Sequence, residues 1–147
     1  MKRSKALPRG MSRGFTLIEI IVVLVILSSL LALSITGATR YRSALEYKYS
    51  VDQVLSDVRL TQQMADASHE TCRIEFKAGK NEYLILKSGE LVRTYKVSPK
   101  VQFYGKSYFS FVPAGYTEVG GSGTLFIGGS PKIKKIIVSS QGRVRVE

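Results

Sequence analysis

From Ile20 to Thr39 the chain carries no charged side chain. A run of that length matches the roughly 20 residues that a helix needs to cross a hydrocarbon layer about 30 Å thick. One segment is therefore committed to apolar surroundings before any other element is considered. Directly before it stands Glu19. A carboxylate there costs on the order of 2.5 to 3.5 kcal/mol on insertion scales, so its default reading is functional and it needs a partner. The neighbouring sequence offers none.

The 147 residues leave room for that segment and one small globular domain, with no repeat or low-complexity stretch. Cys72 is the single cysteine and excludes an internal disulfide, and with the single histidine, His69, it makes no metal-ligand set. The net charge of +11 is concentrated at the two ends. Lys2, Arg3, Lys5, Arg9 and Arg13 make residues 1–14 wholly basic, residues 15–68 are nearly neutral, and residues 69–147 carry thirteen Lys and Arg against six Glu.

A basic cluster ahead of an apolar span is retained on the cytoplasmic side, so the rest of the chain is expected to be exported. A cleaved secretory signal has the same order of features. It fits less well, because the apolar run is long and "ALSITGA" is a weak cleavage site. A plain uncleaved anchor fits better, but neither explains Gly14 or Glu19.

The stretch "GFTLIEIIVVLVILSSLLAL" resembles the N-terminal signature of type IV pilins and of the pseudopilins of type II secretion and DNA-uptake machines. The resemblance implies that a prepilin peptidase cuts on the cytoplasmic face between Gly14 and Phe15, and that Phe15 is then N-methylated. Glu19 matches the family's glutamate at the fifth mature position. Its implied role is assembly: a subunit shifted along the filament brings the new Phe15 amine to Glu19, and two charges costly in hydrocarbon neutralise one another. The alternative for Glu19 is a carboxylate that snorkels to the inner interface or stays protonated. The implied partners are other pilin or pseudopilin subunits, the prepilin peptidase, and the cytoplasmic membrane with its assembly platform. The implied location is a single-pass membrane protein that later enters a pilus or pseudopilus.

Beyond the apolar span, Val51, Val54, Leu55, Val58, Met64 and Ala65 recur near helical spacing. Asp52, Asp57, Arg59, Gln62 and Asp66 fall on the other faces, and the predicted helix runs to about Ser68. From Cys72 the period changes to that of strands, with "CRIEFK", "YLILK", "LVRTYKV", "VQFYG", "YFSFV" and "TLFI" separated by turn-like segments such as "AGKNE" and "KSGE". The expected fold is α+β and pilin-like: a long N-terminal helix, membrane-spanning in its first half, packed on a C-terminal antiparallel β domain. The expected parts are a basic leader over 1–14, the membrane and assembly part of the helix over 15–38, its amphipathic part over 39–68, and a β-rich globular domain over 69–147.

No catalytic constellation is present in the sequence. There is no G-x-S-x-G elbow, and "GGSGTLFIGGSP" lacks the ending of a phosphate-binding loop. The expectation is a protein that is not an enzyme, with no cofactor and no metal. Asp52, Asp57 and Asp66 are the only aspartates and all lie on the predicted helix, which departs from the calcium-binding C-terminal loop of many major pseudopilins.

The closing "SSQGRVRVE" resembles minor subunits of the FimT/GspH type. A Gly-Arg-x-Arg motif implies DNA capture in natural transformation in the FimT-like members, and a purely structural subunit of a type II secretion pseudopilus is the GspH-like alternative. On a strand, Arg143 and Arg145 project from one face about 6.6 Å apart, with Val144 and Val146 opposite. Lys132, Lys134 and Lys135 lie across the "SSQG" turn in a predicted hairpin. Together the five form the expected DNA-binding patch, suited to phosphates without base readout. The bland alternative is an edge strand kept soluble by its charges.

Overall fold

Among the described residues one helix, α1 (Leu17–Ser68), precedes eight strands. The structure, a computed structural model, describes residues 14–129 and 132–147, apart from the side chains of Leu33, Ser34 and Thr36. The five basic residues of the expected leader, Lys2, Arg3, Lys5, Arg9 and Arg13, lie outside the described residues.

Local chemistry sets both ends of α1. The Glu19 N–H donates to Thr16 Oγ1 at 3.3 Å and to the Thr16 carbonyl at 3.1 Å, which makes Thr16 the N-cap. His69 follows the last helical residue with φ of 54°, the left-handed conformation that commonly stops a helix.

The chain divides into two compact units, Met1–Tyr41 and Arg42–Glu147. In the first, the apolar side chains of Phe15 to Leu31 are exposed, as those of a segment awaiting lipid or another subunit must be. By length and composition this is a helix able to cross a membrane. Ser28 and Ser29 donate to the carbonyls of Leu24 and Val25 at 2.7 and 2.8 Å, so their hydroxyls are satisfied within the helix.

In the second unit the helical segment carries a buried stripe of Val51, Val54, Val58 and Ala65, with Leu55 and Met64 half-buried beside it. Two acidic and polar residues depart from the expected pattern. Asp57 is buried, where it accepts a hydrogen bond from the Tyr83 hydroxyl. Gln62 is half-buried and faces the strands.

The strands form two antiparallel four-stranded sheets. β1 (Cys72–Lys77), β2 (Glu82–Lys87), β3 (Glu90–Lys96) and β5 (Tyr108–Phe111) make the first, in the order β3-β2-β1-β5. β4 (Gln102–Gly105), β6 (Gly123–Gly129), β7 (Lys132–Val138) and β8 (Val144–Val146) make the second, in the order β4-β6-β7-β8. Strands β4 and β5 are neighbours in sequence but belong to different sheets. The switch occurs at Gly105, where φ is +84° and a Cβ would lie 2.9 Å from both the Thr124 carbonyl and the Phe126 ring. Beyond it, the Lys106 N–H bonds the second sheet at Thr124, and the Ser107 carbonyl accepts from Phe76 of the first.

The core lies where both sheets meet α1. Phe76 of the first sheet stands 5.3 Å, centroid to centroid, from Phe103 of the second and 5.7 Å from Phe109. Such pairs add about 0.5 to 1.5 kcal/mol beyond the area they bury. Tyr83 packs into the same cluster, and burial together with the adjacent Asp57 carboxylate pushes its phenol pKa far above the ordinary value.

Candidate functional site

Two regions carry the residues that the sequence singles out. At the start of α1, Gly14, Phe15 and Glu19 are all exposed. Phe15 precedes the Thr16 cap, and Glu19 is one turn further on, about 6 Å along the axis at 1.5 Å per residue. Glu19 occupies the third helical position, where a carboxylate also complements the helix dipole.

The second region is the β7–β8 hairpin, which forms as expected, with Val138 opposite Val144 and Ile136 opposite Val146. Arg143 and Arg145 are exposed, while Val144 and Val146 pack against the core. Among the described residues neither arginine takes part in an ion pair with an acidic side chain.

The turn ahead of them is held from several sides. The Gly142 N–H donates to the Ser139 carbonyl at 2.9 Å, and the Arg143 N–H to Ser139 Oγ at 3.1 Å. Thr117 Oγ1 donates to the Ser140 carbonyl at 3.0 Å. From α1, Gln62 Nε2 donates to the Gly115 carbonyl at 2.8 Å and to the Gly142 carbonyl at 3.0 Å. Gly142 has φ of +75°, and a Cβ there would collide with the Gly115 carbonyl. The glycine of the Gly-Arg-x-Arg motif is thus required by packing as well as by conformation. Sequence reasoning missed Gln62, although its position four residues after Val58 and three before Ala65 placed it on the buried stripe.

The expected five-residue patch is not one patch. Strand alternation puts Arg143, Arg145 and Lys135 on the outer face of the second sheet, with Ile137 opposite Arg145. Lys135 is already engaged, its ammonium 3.4 Å from the Glu147 carboxylate. Lys132 and Lys134 instead share the face of Ile136 and Val138, with Lys134 opposite the buried Ile127 and Lys132 opposite Gly129. That end of the sheet adjoins Tyr47, whose hydroxyl donates to the Ile127 carbonyl at 2.9 Å. Tyr47 and Gln62 are fifteen residues apart on α1, about 22 Å along the axis. Lys132 and Lys134 therefore leave the face of β7 that meets Tyr47, and the arginines leave the other.

Residues 9–35 match the family described as the prokaryotic N-terminal methylation motif. No curated protein matches the chain in sequence. Two crystal structures of the type IV minor pilin FimU from Pseudomonas aeruginosa (strain PAO1), in different crystal forms, share the fold at 15% identity. Their TM-scores are 0.59 and 0.57, and the matches cover 69% and 68% of this chain and 88% and 91% of theirs. A methylation motif at the head of a long helix, with that helix packed on an antiparallel β domain, defines a pilin-like fold. More closely, the chain shares the fold of the type IV minor pilin FimU and carries a prokaryotic N-terminal methylation motif at the head of its helix.

Proposed function

We propose that the chain is a minor pilin subunit, matured by a prepilin peptidase between Gly14 and Phe15 and assembled into a pilus, whose C-terminal hairpin captures DNA. The methylation motif over residues 9–35 supports the processing step. In this reading Phe15 becomes the methylated N-terminus, and Glu19 meets the Phe15 amine of a neighbouring subunit, so that neither charge enters the apolar filament core alone.

The observation that carries DNA capture is the pair of exposed arginines on a turn fixed to α1. A rigid mount lowers the entropy lost when they grip phosphates, and Arg presents a planar fork that suits phosphate oxygens. Lys135 stands beside them on the outer face, whereas Lys132 and Lys134 leave the opposite face of β7 and do not join them.

The test uses the full chain in detergent micelles, titrated with duplex DNA at two salt concentrations. Binding should show little sequence preference and weaken with salt, with a log-log slope near −0.9 per phosphate neutralised. Replacing Arg143 and Arg145 together by Gln should remove most of it, with a stability change within about 1 kcal/mol because exposed charges contribute little.

One observation favours a second reading, a purely structural subunit of a type II secretion pseudopilus. Tyr104, Phe126 and Ile133 are exposed side by side on the outer face of the second sheet, a surface suited to packing against another protein. Absence of DNA binding at low salt, or equal binding by the double variant, decides for that reading.

A further inference from the structure

The lysines that leave the arginine site gather around the point where the chain enters the β domain. Arg42 Nε lies 3.1 Å from Glu46, and Lys100 Nζ lies 3.8 Å from the same carboxylate and 2.9 Å from Ser43 Oγ. Beside them is a cavity of about 80 Å³ lined by Ser43, Tyr47, Ser98, Lys100, Val101 and Gly129. Lys132 is the cross-strand partner of Gly129, whose Cα abuts the Tyr47 ring. The backbone of Lys134 reaches the Tyr47 hydroxyl, whose pKa burial raises. Arg42 and Lys100 thus flank one carboxylate beside a small hollow, and Lys132 and Lys134 stand on the adjoining strand, opposite Gly129 and Ile127.

The position of this cluster along the chain is as informative as its charge. Arg42 stands three residues after Thr39, where the uncharged run ends. If that run spans the bilayer, Arg42, about 5 Å further along the helix at 1.5 Å per residue, emerges at the level of the lipid headgroups on the exported side. Tyr41 and Tyr49, both exposed, are the residue type enriched at that level. The Lys100 ammonium keeps donor capacity beyond its bond to Ser43, the Ser98 hydroxyl lines the same hollow, and the flanking lysines supply the attraction that basic residues beside a span exert on anionic lipid.

We infer that Lys100, Lys132 and Lys134, with Arg42, form a binding surface for anionic phospholipid headgroups on the outer face of the cytoplasmic membrane, separate from the arginine site. Occupied, it holds the β domain against the bilayer before assembly, and leaving the membrane for a filament requires releasing those headgroups. The inference rests on the membrane-spanning reading of the apolar helix and does not depend on DNA capture.

The test reconstitutes the full chain in phosphatidylcholine bilayers and compares its association with spin-labelled phosphatidylglycerol and spin-labelled phosphatidylcholine. The wild type should prefer the anionic lipid, and the preference should fall as salt rises. Replacing Lys100, Lys132 and Lys134 by Gln should remove most of it, since each lysine near an anionic surface contributes about fivefold. Lys132→Gln alone, at an exposed strand end, serves if the triple variant does not fold. Arg143→Gln with Arg145→Gln should leave the preference unchanged. Failure of the chain to enter bilayers overturns the membrane reading itself. Entry with no anionic preference, or with equal preference in the lysine variants, overturns only the headgroup surface. Loss of the preference to inorganic phosphate at matched ionic strength shows a free-anion site and overturns it as well.

Discussion

Gln62 Nε2 stands 3.0 Å from the Gly142 carbonyl, so a helix residue holds the glycine that begins the Gly-Arg-x-Arg motif. The same amide reaches Gly115 at 2.8 Å and ties helix, loop and hairpin at one point. The orientation of Arg143 and Arg145 depends on this junction as well as on the strand that carries them.

Gln62→Ala removes both bonds from a half-buried site and should cost about 1 to 3 kcal/mol. It should also weaken DNA binding although every cation is retained. Gly142→Ala forces a Cβ toward the Gly115 carbonyl at a positive φ and should cost more than about 1 kcal/mol. Thermal melts followed by circular dichroism, paired with DNA titration, check both. A Gln62→Ala variant that binds DNA as tightly as wild type would show that the junction does not position the arginines.

Tyr83→Phe leaves the buried Asp57 without its phenolic donor and should destabilise the domain by about 1 to 3 kcal/mol near neutral pH. Above pH 10 that stability difference should narrow. The folded state holds the Tyr83 proton beyond the ordinary phenol value of 10.0, so the unfolded chain releases it first. Stability contributed by Tyr83 is full below that value and falls as pH rises, at up to about 1.4 kcal/mol per pH unit. The phenylalanine variant lacks this component and should show the shallower alkaline loss, measured by urea denaturation at about pH 7 and about pH 11.

The mature chain should begin at Phe15 and carry an N-methyl group. Mass spectrometry of protein recovered from membranes gives the terminus directly. An N-terminus still at Met1, or a cut beyond Ala38, is incompatible with prepilin processing.

Glu19→Ala should leave the cut after Gly14 intact, because the scissile bond lies five residues away, and should impair incorporation into filaments. Loss of the Glu19 side chain does not disturb the Thr16 cap, since the bond there is donated by the Glu19 backbone. Co-purification of the variant with filaments at wild-type levels would falsify the counter-charge role.

Much of the architecture was legible because it is written in short-range periodicity. Cys72, Ile74 and Phe76 alternate with charged neighbours and all three are buried. The helix ends at Ser68 as expected, and "SSQG" turns β7 back on β8. The inward placement of Asp57 and Gln62 was not legible. A polar residue on a buried stripe is tolerated only if a partner meets it, and the partners, Tyr83, Gly115 and Gly142, are 26 to 80 residues away.

By itself the sequence determined an uncharged span with a methylation motif at its head, a helix continuing past that span, and a β domain with basic side chains near its end. These follow from composition and from repeats of 2 and 3.6 residues, which act over a few neighbours. Only the tertiary structure decided that β4 and β5 belong to different sheets and that the C-terminal cations divide between the two faces of the second sheet. Lys134 and Lys135 are adjacent in sequence and leave opposite faces of β7, one toward Tyr47 at the entry of the domain, the other toward Glu147 on the outer face. Which face meets the helix is set by how the sheet packs on α1, and no local pattern of charges encodes that packing.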